Sequence, residues 1–243
     1  MRTLATGTVA LLLAACAASG VVAAERPPGS HKPADWSGIG GVWEGVGGGM
    51  ITPNGAPMTA EAAAKYAKYR ADQASNRIQD YQTANCIPPG ILINMAMPYP
   101  IEILITPGKV TMILEAFTQV RHIFTDGRPL PADPDLSYNG TSVGRWEGDA
   151  LVVETIGFLP EVEPAWGLGH GEKLKIVERI RLLDPHKLEV QFTITDPDVL
   201  TAPWTTTRNY ERRPTWALRE YVCSQNNRHT FEANGTATVR LAP

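Results

Sequence analysis

Histidine and cysteine are both scarce in this sequence, five and three among 243 residues, and the scarcity narrows the chemistry it can host. It contains no His-Glu-x-x-His, Cys-x-x-Cys, P-loop or dinucleotide fingerprint. The common signatures of zinc hydrolases, thiol redox enzymes and nucleotide-binding proteins are therefore missing. Nothing in the spacing of His and Glu suggests a metal site, and no cofactor is implied. Charge of one sign is lacking as well: 22 basic side chains face 25 acidic ones, a balance that gives no electrostatic footprint for nucleic acid or an anionic membrane. The one long apolar run, Leu4 to Ala18, is barely long enough to span a bilayer, and no basic stop-transfer cluster follows it.

That run instead has the order of an export signal. Arg2 supplies a charged start, the apolar stretch follows, and Ser19 to Ala24 is a run of small residues with Val22 and Ala24 placed for cleavage before Glu25. Leu13-Ala14-Ala15-Cys16 offers a second outcome, a lipobox with a lipid anchor at Cys16. Val21 to Ala24 would be an oddly apolar start to such a tether, which favours Glu25. Either way the chain is expected in the periplasm or secreted. Residues 1–24 then form the signal, 25–37 a Pro-rich polar lead-in, and 38–243 one domain, with no internal repeat or linker. Among the charged residues the signal holds only Arg2, so the mature part keeps 21 basic against 25 acidic side chains. Cys86 and Cys223 remain, and two cysteines in an oxidising space usually pair. Their bridge would stabilise by roughly 4–5 kcal/mol in the chain-entropy picture; the alternative is two buried thiols.

The rest of the chain reads as mainly β. Thr59 caps an Ala-rich run from Ala60 to about Arg77, with Glu61 in its first turn, which predicts one N-terminal helix. A strand is expected around Gly38–Gly45, carrying Trp43. Eight more are expected at 101–106, 109–116, 119–125, 142–147, 150–157, 173–183, 187–195 and 205–212, separated by turn residues such as Pro107-Gly108, Gly148-Asp149 and Asp184-Pro185-His186. Tight connections make neighbouring strands antiparallel. The expected fold is a single antiparallel, lipocalin-like β-barrel of about 8–10 strands with one helix.

Alternation then suggests which side chains point inward. Along 173–182 the apolar face is Leu174, Ile176, Ile180 and Leu182, and Glu178 completes it. Glu154 stands similarly between Val152 and Ile156, and Glu115 continues the face of Ile113. Carboxylates inside a barrel are costly unless paired, so Glu178 and Glu115 become candidate catalytic groups. Arg121, Arg128, Trp146 and Trp166 become candidate substrate-binding side chains, since an Arg fork holds a carboxylate in two places. His31, His186 and His229 are expected in solvent, and His122 on the strand face opposite Arg121. His170, in the glycine-rich loop Trp166-Gly167-Leu168-Gly169-His170-Gly171-Glu172, is the best-placed histidine for proton transfer or binding.

The hairpin Gly144-Arg145-Trp146-Glu147-Gly148-Asp149-Ala150-Leu151-Val152-Val153-Glu154-Thr155-Ile156-Gly157-Phe158 resembles a large group of exported bacterial proteins. Cys86 to Gly90, Arg121-His122-Ile123, Asp126-Gly127-Arg128, Val177-Glu178-Arg179 and Tyr221-Val222-Cys223 extend the match. The resemblance implies export, one domain and paired cysteines, and brings no activity with it. Gly41-Val42-Trp43 also resembles the Gly-x-Trp opening of lipocalin-like barrels, which hold small hydrophobic molecules.

Two functions follow as expectations. One is a cofactor-independent enzyme, an isomerase, lyase or hydratase. There Glu178 or Glu115 would be the general base, His170 the proton donor and Arg121 the anchor for an anionic group on a small apolar or aromatic substrate. The other is a periplasmic barrel that binds a small hydrophobic ligand without chemistry. Convergence of Glu178, Glu115, Arg121 and His170 on one pocket separates the two.

Overall fold

Nine strands form where alternation and turn residues place them: β1 (Gly41–Val46), β2 (Ile101–Thr106), β3 (Lys109–Leu114), β4 (Gln119–Phe124), β5 (Thr141–Glu147), β6 (Ala150–Ile156), β7 (Lys175–Asp184), β8 (Lys187–Thr195) and β9 (Trp204–Arg212). In this computed structural model they pair in chain order, and β1 returns to β9 to close the barrel. Residues 38–47, 51–75, 86–226, 229–231 and 237–239 are described; the export segment, Cys16, the lead-in and His31 lie outside them. A short hairpin, β10 (His229–Phe231) with β11 (Ala237–Val239), is a feature the sequence reading did not anticipate.

The barrel is mixed rather than wholly antiparallel. β4 and β5 run parallel, joined at Ile123↔Ser142 and Phe124↔Val143. The two-residue turns of the β2–β3, β5–β6 and β7–β8 hairpins force reversal, whereas the chain 125–140 is long enough to travel back along the barrel before β5 begins. A helix α1 (Ala60–Ala74) follows Thr59, whose hydroxyl accepts from the Ala62 N–H at 3.3 Å.

A second helix, α2 (Ile91–Ala96), was not expected, because a short apolar run carries no readable period. Ile91, Leu92, Ile93, Asn94 and Met95 are all buried, packing into the barrel end from which β2 starts. Tyr210 Oη donates to the Met95 carbonyl at 2.8 Å, Arg208 Nη2 to that of Ala96 at 3.2 Å, and Asn94 Nδ2 to that of Ala116 at 3.1 Å. α2 follows Gly90 (φ 87), where a Cβ would meet Val162 Cγ1 at 2.4 Å. The stretch before α2 is stapled to the C-terminal segment by the Cys86–Cys223 disulfide, a bond that fits an oxidising compartment. That segment also grips the β3–β4 connection: Phe117 and Thr118 are left-handed (φ 57 and 50), with the Phe117 ring 5.4 Å from that of Tyr221 and Thr118 Oγ1 donating to the Tyr221 carbonyl at 3.2 Å. Among the described residues no helix is long and apolar enough to cross a membrane.

Inward-facing side chains fill the barrel. Trp43, Ile101, Met112, Ile123, Val153, Ile180, Val190, Phe192 and Tyr210 are each 0–1 % exposed. A barrel of about this strand number is just wide enough for side chains to fill it.

Candidate functional site

Arg121 and Glu178 meet inside this lining. Arg121 lies on the inner face of β4 and Glu178 on that of β7, with side chains 1 % and 0 % exposed. The fork is bidentate: Arg121 Nη1 donates to Glu178 Oε1 at 2.9 Å and Nη2 to Oε2. Ser142 from β5 and Thr155 from β6 complete the cluster. Ser142 Oγ accepts from Arg121 Nε at 3.1 Å and Nη2 at 3.0 Å, Thr155 Oγ1 accepts from Nη2 at 2.8 Å, and the two hydroxyl oxygens are 3.0 Å apart. Four neighbouring strands of the sequence thus supply one satisfied polar knot in an apolar core, the condition under which buried charge is tolerated. Burial, with the Glu178 charge adding to it, pushes the nearby Tyr210 phenol above its ordinary range.

The other candidates lie elsewhere. Glu154 points outward: the inner face of β6 is Leu151, Val153 and Thr155, one residue out of phase with the expected face. Its carboxylate pairs with Arg145 at 2.6 Å and Lys175 at 2.5 Å, and these partners, Lys175 first, hold it below the ordinary carboxylate range. Glu115 follows the end of β3, whose inner face is Val110, Met112 and Leu114 rather than Ile113. Its Oε2 accepts from the Arg219 N–H at 2.7 Å. His170 has Nδ1 2.7 Å from the Gly171 carbonyl and Nε2 2.9 Å from that of Leu159, so both ring nitrogens face backbone acceptors. Glu178, Glu115 and His170 share no partner.

Arg128 is exposed, paired with Asp126 at 2.6 Å and stacked 3.9 Å over the Phe124 ring. Trp146 packs against the core from the far end of β5, and Trp166 donates its backbone N–H to Ile51. His122 is exposed on β4, 3.3 Å from Thr111 Oγ1, and His186 is exposed in its turn. No three metal-ligating side chains gather among the described residues.

Two clefts open on the outer surface. One, of about 290 Å³, lies between α1 and the glycine-rich loop, with Glu61, Lys65, Gly169, His170 and Asp198 in its walls. Its floor is closely packed at Gly167 (φ +77), where a Cβ would fall 2.3 Å from the Tyr69 ring. The other, of about 360 Å³, lies at the β4/β5 seam, with Gln119, Arg121, His122, Phe124, Tyr138 and Asn139 in its walls. Asn139 Nδ2 donates to Gln119 Oε1 at 3.1 Å, bridging the cleft, while Asn139 Oδ1 is buried with no hydrogen-bond donor among the described residues.

Nothing in the pattern of the sequence singles out Asn139-Gly140-Thr141, so this cleft is not foreseen from it. Its only hint was the long 125–140 connection. Compared with known protein families, curated proteins and solved structures, the chain finds no match. Any functional reading therefore rests on this geometry.

Proposed function

We propose that this is an exported binding protein for a small molecule, and that the ligand occupies the β4/β5 seam outside the barrel. The observation that carries the reading is the cleft of about 360 Å³ at that seam, where Gln119, His122 and Asn139 are polar wall residues. Phe124 and Tyr138 add aromatic surface, the usual mixture in a ligand site.

The reading keeps export and small-molecule binding and moves the ligand out of the barrel, whose lining is filled. A proton-transfer site built from Glu178, Glu115 and His170 is not assembled, and both Glu178 oxygens are engaged by Arg121. Mass spectrometry of small molecules that co-purify with the mature protein, followed by NMR mapping of the best of them, tests the reading. Shifts confined to 119–124 and 137–142, abolished in His122→Trp, are expected. Shifts centred on His170 and Lys65, or binding indifferent to His122→Trp, would move the site away from the seam.

A further inference from the structure

The seam also has an open strand edge, and its polarity can be worked out residue by residue. The Thr125 N–H donates to the Gly108 carbonyl at 2.8 Å, so Thr125 turns its backbone groups toward β3. Backbone groups alternate along a strand, and in an antiparallel pair only every second residue bonds to the partner. Ile123, Arg121 and Gln119 therefore bond to β3, opposite Val110, Met112 and Leu114. Phe124, His122 and Val120 present theirs to the other edge. There Phe124 is met by β5 at Val143, and the parallel ladder reaches no further along β4 than Ile123. The N–H and C=O of Val120 face the cleft with no backbone partner among the described residues.

From this edge we infer that the ligand of the seam is an extended peptide, added beside β4 as a short extra strand; the inference rests on the seam-binding reading above and names its ligand class. Val120 C=O accepts from a peptide N–H, and the Val120 N–H donates to a peptide carbonyl. The Val120 side chain, 49 % exposed, is available to pack against a ligand side chain on the outer face, as cross-strand neighbours do. Strand addition of this kind draws affinity from the main chain and selectivity from alternate side-chain pockets.

The test uses the mature protein and two capped tetrapeptides, acetyl-Val-Thr-Val-Thr-amide and the same sequence N-methylated at its two central residues. N-methylation leaves the side chains and removes the N–H groups that strand pairing needs. Hydrogen exchange at the Val120 amide should slow by about tenfold or more at saturating unmodified peptide, and the methylated peptide should leave it unchanged. Val120→Pro provides a second arm. Because this N–H does not face β3, proline is tolerated there as it is on other edges, and the variant, followed by the amide shifts of 119 and 121–124, should fold yet no longer respond to the unmodified peptide. Equal protection by both peptides, or seam shifts caused only by non-peptide molecules, would overturn strand addition and leave the seam as a binding site. If neither peptides nor co-purified molecules perturb 119–124, the seam reading falls with it.

Discussion

Arg121 and Glu178 face each other across the barrel interior, a bidentate ion pair with both side chains almost completely withdrawn from water. Two charges in such surroundings are tolerated because nearly every donor and acceptor is occupied, by each other and by Ser142 and Thr155. The arrangement defines a structural role that mutation can separate from catalysis. Glu178→Gln should destabilise the protein by about 3–5 kcal/mol, since it leaves an uncompensated guanidinium in the core. Replacing both partners, Arg121→Met with Glu178→Met, should recover most of that loss. Urea denaturation of the three variants checks this. A Glu178→Gln protein as stable as the wild type would show that the pair is not closed to water.

The Cys86–Cys223 bond closes a loop of sequence separation 137, and it holds the segment leading into α2 against the chain that contacts Phe117 and Thr118. Cys86→Ser with Cys223→Ser should lower stability by about 4–5 kcal/mol by the loop-closure argument. The amides of Ile91 to Met95 should lose hydrogen-exchange protection ahead of those in β7 and β8. Uniform loss across the barrel would show that α2 has no separate dependence on the bond.

Glu154 should leave a mark in the acid limb of the stability curve. Its hydrogen bonds to Lys175 and Arg145 lower its pKa in the folded state. The stabilisation they bring is therefore present above the ordinary glutamate range and lost as pH falls through the lower folded value. The stability difference between wild type and Glu154→Gln should be constant near neutrality and shrink on acidification below that ordinary range. Denaturant midpoints measured from pH 7 to pH 2.5 check this, and a difference independent of pH across that span contradicts it.

Much of the fold was legible because strands announce themselves locally. The tight turns at Pro107-Gly108, Gly148-Asp149 and Pro185-His186 separated runs whose period-2 pattern is imposed by the pleat, and the expected bounds match β2 through β9 closely. The Glu178 anomaly was also readable, because Ile176, Ile180 and Leu182 on the same face left one orientation. Glu154 and Glu115 were misassigned for a related reason: Val152 and Ile113 are apolar on an outer face, and alternation names two faces without saying which is inside.

What the sequence determined by itself was the set of barrel strands, the export-compatible cysteine pair and a carboxylate committed to the core. Tertiary structure alone decided the rest. That Glu178 would meet Arg121, 57 residues away, depended on how far β4 and β7 are carried around a closed barrel. The parallel β4–β5 pair depended on the path taken by 125–140, and the seam with its open Val120 edge exists only because that pair is short. Local propensity fixes which residues extend and which turn; partners, facing and gaps follow from closure, in which every strand's position depends on all the others.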